Sequence, residues 1–221
     1  MEHCFAKAWA YLWPLMRENF KRRYRIGRYI VYKETSVEPK EQLWSFLGSF
    51  IGIACIGVFQ GHYLDQSDNI MLIGSFGATG VLIYGAIHSP LAQPRNLIGG
   101  HVISAVIGVT ICQLFGDILW LAAGLSVSLS ILAMQYSKTL HPPGGATALI
   151  AVIGSEKIIG LGYWYVLFPV FSGVLIMLLV ALTFNNLTPE RRYPADGRFL
   201  RLIKLVAKPV LNTVKRVKKS T

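Results

Sequence analysis

Charge is what this chain of 221 residues has least of where it is most apolar. Between Gln42 and Asn186 stand only four acids (Asp65, Asp68, Asp117, Glu156) and three bases (Arg95, Lys138, Lys157). Charged residues make up 15% of the chain, against about 25% in an ordinary soluble domain. The formal charge of +11 therefore belongs almost wholly to the two ends. A nucleic-acid partner needs a basic folded surface, and an uncharged apolar centre argues against one. Anionic lipid headgroups suit the basic ends better. Cysteine is scarce too. Cys4, Cys55 and Cys112 lie far apart without a CxxC pair, so neither a disulfide framework nor a cysteine zinc site is expected. No continuous apolar stretch precedes a small-residue cleavage site near Met1, and no signal peptide is expected. A nucleophile elbow, a Walker loop, a Rossmann fingerprint and HExxH are all missing, so the chain is not expected to be an enzyme.

What is present is hydrophobicity: 53% of residues are apolar, with a mean hydropathy of +0.46. The apolar residues form six segments, roughly 43–62, 71–87, 99–115, 118–135, 142–155 and 163–184. A spanning helix needs about 20 residues, which the second and fifth do not reach. Residues 1–41 read as a basic cytoplasmic or interfacial segment. In it Phe5, Trp9, Leu12, Met16 and Phe20 fall at helical spacing, followed by Lys21, Arg22, Arg23, Arg25 and Arg28. Residues 42–186 read as the transmembrane domain. Residues 187–221 read as a basic amphipathic tail, with Phe199, Leu202, Val206, Val210 and Val217 as its loose apolar stripe. Basic ends belong in the cytoplasm, which makes the number of crossings even. Six crossings put Arg95 and Lys138 inside and Asp65, Asp68 and Asp117 outside; only Lys157 breaks the rule. Four crossings, with the two short segments re-entrant, fit these charges less well.

The two short segments share a pattern. Gly74–Leu82 reads GSFGATGVL and His141–Leu149 reads HPPGGATAL. Aligning Gly77-Ala78-Thr79 with Gly145-Ala146-Thr147 sets an offset of 68, and Ser104-Ala105-Val106 then falls on Ser172-Gly173-Val174. Such internal similarity in an apolar chain marks a repeated membrane unit. The expected fold is an all-α polytopic membrane protein. It has about six transmembrane segments as a 3+3 inverted repeat, two of them short or broken, with no cofactor expected and a homo-oligomer compatible with it.

His141-Pro142-Pro143 predicts an extended approach followed by a helix start, because the residue before a proline avoids the helical region and Pro suits the first turn. Gly144 and Gly145 leave that turn bare, so its N–H groups and partial positive charge could receive an anion. A helix over 144–155 would rise about 18 Å, from near the middle of the bilayer to one face. If the first copy also starts a helix near Ser75, two such ends face each other. Ser75, Phe76, Gly77, Thr79, His141, Gly144, Gly145 and Thr147 would then bind a small inorganic anion. Close helix packing is the other role for the small residues Gly74, Gly77, Gly80, Gly144, Ala148 and Ala151. His88, Gln93, Arg95, Asn96 and His101 are assigned to the pathway and its mouth, with Arg95 steering anions inward. The histidine spacing matches no metal site, so no metal is expected.

These two stretches, Gly74–His101 and His141–Leu149, resemble the HPP family of small integral membrane proteins, and the likeness covers roughly 43–185. Members in plastids and cyanobacteria are nitrite transporters. The resemblance implies an HPP-type transmembrane domain in the plasma or inner membrane, both termini cytoplasmic, that carries nitrite or a similar anion as transporter or channel. It supplies no binding residues; those come from the helix-start argument. Two other readings stay open: a membrane enzyme or cofactor protein using His88, His101 and His141, and a non-transporting scaffold.

Overall fold

The computed structural model describes Lys21, residues 38–188 and residues 190–195. The stripe from Phe5 to Phe20 and the tail stripe from Phe199 to Val217 lie outside the described residues. Helices dominate, and no strand occurs among the described residues. In chain order they are α1 (Pro39–Gly61), α2 (Gln66–Gly80), α3 (Pro94–Phe115), α4 (Leu119–Tyr136), α5 (Pro143–Ile153), α6 (Glu156–Gly160) and α7 (Ser172–Phe184). A π-helical turn, Val81–Gly85, extends α2 without a break, and another, Val166–Phe171, leads into α7. Prolines set the starts: Pro94 opens α3 after an extended Gln93, and Pro143 opens α5.

Among the described residues four helical stretches are long and apolar enough to cross a membrane: Pro39–Gly61, Pro94–Phe115, Leu119–Tyr136 and Val166–Phe184. The fifth apolar segment is short as expected, an 11-residue helix. The second is not short. With its π turn α2 runs continuously over residues 66–85, because nothing between Gln66 and Ser75 breaks it. The helix start expected near Ser75 is therefore absent, and Ser75, Phe76 and Gly77 lie inside α2.

Burial follows what a membrane allows. α4 buries only Ala122, Ser126, Ser130 and Met134, one residue per turn, and exposes Trp120, Leu132 and Tyr136. α1 does the same with Gly48, Gly52, Ile56 and Gln60, exposing Phe46, Phe50 and Val58. In lipid such exposed side chains carry no penalty, and small residues on the inner stripe let helices approach. α5 is the centre, burying seven residues from Pro143 to Val152. Its backbone nearly touches that of α3. A Cβ on Gly108 would lie 2.5 Å from the Ala148 carbonyl oxygen, and one on Gly144 would lie 2.8 Å from that of Gly100. Of the small residues expected to pack closely, Gly144, Ala148 and Ala151 do so at this contact. Gly74 and Gly77 do not: a Cβ there meets nothing within 4 Å.

Hydrogen bonds gather the loops into two ends. At one end Ser45 Oγ donates to Tyr84 O (2.8 Å), Asn185 Nδ2 to Ile83 O (2.7 Å), Arg95 Nη2 to Ser137 O (2.7 Å) and Asn96 Nδ2 to Leu140 O (2.8 Å). At the other, Ser155 N donates to Asp68 Oδ1 (3.2 Å), and Lys157 pairs with Asp65 at 3.4 Å. The start of α2 thus meets the end of α5, so these two helices run in opposite directions. Ser75 Oγ lies 3.1 Å from Pro143 O, which sets the beginning of α5 level with the middle of α2.

Candidate functional site

The two Gly-Ala-Thr copies meet, and His101 of α3 joins them. Its Nε2 lies 2.8 Å from Thr79 Oγ1 and its Nδ1 lies 2.7 Å from Thr147 Oγ1. The two threonines are equivalent under the offset of 68. Each hydroxyl also lies 3.3 Å from the carbonyl four residues earlier, Ser75 O for Thr79 and Pro143 O for Thr147. Ser75 Oγ reaches Thr147 Oγ1 at 2.9 Å, and His141 Nε2 reaches Thr79 Oγ1 at 3.2 Å. The far nitrogen of His141, Nδ1, lies 2.9 Å from Leu91 O in the 3₁₀ turn Pro90–Ala92. Ser75, Thr79, His101, His141 and Thr147 are all buried.

Local sequence explains the convergence. Thr79 and Ser75 are four apart on α2 and so share one face. Pro142 and Pro143 hold His141 just ahead of α5, with Thr147 one turn inside the helix. Gly100 gives room for the His141 side chain, which a Cβ at that position would strike. Phe76 packs on the His101 ring with centroids 5.3 Å apart, and the two imidazole centroids are 5.0 Å apart.

Other expected site residues have different places. Gly144 faces Ser104 and Gly100 of α3, and its amide donates to His141 O at 2.8 Å. Gly145 N donates to Pro142 O at 3.1 Å. Two amides expected to be bare are thus engaged in the turn. With Ser75 to Gly77 inside α2, the pair of facing helix N-termini is not what the chain builds. Gly145 borders an apolar groove lined by Val127, Met134 and Leu140 rather than the polar cluster. His88 is exposed on the loop and takes no part in the cluster. Gln93 fastens its own loop, donating to Ile87 O (3.0 Å) and Ser89 O (2.9 Å). Arg95 and Asn96 clamp the 137–141 loop onto α3, so they position His141 rather than touch the cluster.

Composition hid several residues that complete this end. Arg191 is buried and donates through Nη2 to Tyr84 O (2.8 Å) and Asn185 Oδ1 (2.8 Å). Tyr193 is buried, its hydroxyl donating to Ala92 O at 2.7 Å, and burial raises its phenol pKa. On the opposite side Tyr165 donates to Thr147 O at 2.9 Å. Residues 190–195, which composition places in a basic tail, thus fold back over the loop beside Leu91. A tyrosine and a proline after two arginines, Arg191 to Pro194, were the available signal.

The family model for the HPP transmembrane region matches residues 34–194. The chain belongs to the HPP transmembrane family. That match takes in every residue of the cluster and also Arg191 and Tyr193. This HPP chain is similar to two transmembrane proteins of Dictyostelium discoideum. One is 46% identical over 154 residues, covering 68% of this chain and 49% of the relative. The other is 47% identical over 156 residues, covering 68% of this chain and 54% of the relative. The chain therefore spans about half the length of these curated relatives. No solved structure matches it. It is an integral, multi-pass membrane protein with an all-helical HPP domain.

Proposed function

We propose that this HPP protein transports a small monovalent anion, nitrite first, through the cluster around His101. The observation that carries the reading is a fully buried group of three hydroxyls and two imidazoles in an apolar helical domain. Buried polar residues at membrane depth are costly, and their usual use is a substrate or ion path. Hydroxyl O–H and imidazole N–H groups can replace the hydration of an anion without a permanently buried base. Arg95, exposed at the loop end, can draw anions toward the same end. The enzyme or cofactor reading needs His88 together with His101 and His141, and His88 stands apart on its exposed loop. The test is uptake of nitrite, nitrate, formate and chloride by the purified protein in proteoliposomes. Saturable nitrite uptake well above that of protein-free vesicles is expected; uptake equal to theirs for every anion sinks the reading.

The supporting topology is six crossings with both termini cytoplasmic, in the plasma or inner membrane, the basic ends resting on anionic lipid. α2 plus its π turn has 20 residues and rises about 30 Å, enough to span. Its two ends lie in the two separate loop clusters, and α5 opposes it in direction, as an inverted repeat requires. In a cysteine-free background, Ser67→Cys is expected to react with an impermeant maleimide from outside, and His88→Cys only after permeabilisation. Labelling of both from one side would make α2 re-entrant and the crossings four.

A further inference from the structure

We propose that the hydrogen-bond chain Ser75–Thr147–His101–Thr79–His141 takes up one proton for each anion carried, so that transport is an electroneutral proton–anion symport. This rests on the anion-transport reading above and adds its driving force.

The contacts fix the direction of the chain. A carbonyl only accepts, so His141 Nδ1, 2.9 Å from Leu91 O, must carry hydrogen. In the neutral ring Nε2 is then an acceptor, and the Thr79 hydroxyl donates to it across 3.2 Å. Thr79 has no second hydrogen, so His101 Nε2 must donate to Thr79 across 2.8 Å. His101 Nδ1 is therefore the acceptor for Thr147, 2.7 Å away, and the single Ser75 hydrogen has two acceptors in reach, Thr147 Oγ1 at 2.9 Å and Pro143 O at 3.1 Å. From Thr147 onward every hydrogen points toward His141, and the Ser75 hydroxyl joins the line when it turns from Pro143 O to Thr147.

A proton reaching Ser75 Oγ can travel this line. The Ser75 hydrogen passes to Thr147, that of Thr147 to His101 Nδ1, that of His101 Nε2 to Thr79, and that of Thr79 to His141 Nε2. At each hop one O–H or N–H bond breaks and one forms. Ser75, Thr147, His101 and Thr79 end neutral, and His141 ends as an imidazolium. Each hydrogen bond survives with its sense reversed: His141 Nε2 now donates to Thr79, Thr79 to His101 Nε2, and His101 Nδ1 to Thr147. Thr147 can turn to Ser75 or to Pro143 O at 3.3 Å. The chain thus holds either zero or one extra proton without losing a partner.

Among the described residues the charge created has no counterpart. Among the described residues no carboxylate, lysine or arginine hydrogen-bonds to a member of the chain. On the surrounding elements, Asp68 of α2 is bonded to Ser155, Arg95 of α3 to Ser137 O, and Tyr84 to Met177 O. Tyr165 and Tyr193 donate to backbone carbonyls of Thr147 and Ala92, while Lys138 and Tyr136 are exposed and Cys112 lies near the opposite end of α3. A buried cation needs a partner, and a monovalent anion supplies one. Proton and anion then load together and the pair crosses without net charge.

Proteoliposomes with a trapped pH dye test this with nitrite and nitrate, after subtraction of protein-free vesicles. One proton is expected to enter per anion. An inside-alkaline gradient should raise the initial rate by up to about tenfold per pH unit, and a potential set with potassium and valinomycin should leave the rate unchanged. Thr79→Val removes one hydroxyl at nearly constant shape and should abolish the response to the gradient; Thr79→Ser should keep it. Uptake driven by the potential and indifferent to the pH gradient overturns symport and leaves anion transport standing. A Thr79→Val protein with the wild-type gradient response overturns the relay. No protein-dependent flux under any gradient overturns the transport reading and symport with it. The wild-type stoichiometry decides the question even if Thr79→Val fails to fold.

Discussion

His101→Leu is expected to lower anion flux by about tenfold to a hundredfold while the protein still folds. Among the described residues His101 is the side chain that hydrogen-bonds to the threonines of both Gly-Ala-Thr copies, through Nε2 to Thr79 and Nδ1 to Thr147. Its loss removes two donors or acceptors from the anion path. A hydrogen bond to a charged group is worth about 1.5–3 kcal/mol, which sets the size of the fall in flux. The cost to the fold is smaller. Thr79 can turn to Ser75 O and Thr147 to Pro143 O, each 3.3 Å away, so neither hydroxyl is stranded. A destabilisation of about 1–3 kcal/mol is expected, read as a modest drop in melting temperature in detergent. His101→Gln, which keeps a donor and an acceptor, should retain part of the flux. A folded His101→Leu protein with wild-type flux removes His101 from the path and the cluster from the function.

The broad plan was legible because it follows from burial and proline chemistry. The six apolar segments coincide with six helical stretches, and Pro143 begins α5 where the two prolines demanded. The match between Gly77-Ala78-Thr79 and Gly145-Ala146-Thr147 also brought Thr79 and Thr147 to one histidine. What misled was glycine. Gly74 and Gly77 suggested a break and a bare helix end, yet membrane helices tolerate glycine because lipid offers their backbone no other partner. Nor does glycine reveal whether it faces a backbone or open space. Gly108 and Gly144 are needed by the α3–α5 contact, whereas Gly77 faces nothing within 4 Å. Carbonyl partners such as Leu91 O carry no sequence signal at all, since every residue has one. Arginine in a basic stretch is equally silent: Arg191 and Arg192 are identical by composition, yet one is buried and the other exposed.

That pair makes the second large effect a sharp one. Arg191→Met is expected to destabilise the protein by about 2–4 kcal/mol, because Asn185 Oδ1 loses its charged donor and is stranded at about 1–3 kcal/mol, while Tyr84 O keeps the Ser45 hydroxyl and loses only one hydrogen bond of about 0.5–1.5 kcal/mol. The consequence spreads along the chain. Asn185 is held to Ile83 O at 2.7 Å, and Tyr193, two residues beyond Arg191, is held to Ala92 O, next to the Leu91 carbonyl that orients His141. Releasing Arg191 should therefore loosen the 185–195 segment first, seen as faster tryptic cleavage at Arg192, and slow transport by freeing His141. Arg191→Lys should recover part of the loss, since an ammonium can reach one acceptor but lacks the fork that reaches both. Arg192→Met removes the same charge from an exposed position and should change stability by no more than about 0.5 kcal/mol. If the two methionine variants melt alike, the basic segment acts only through its charge, and the clamp over the loop beside Leu91 does not exist.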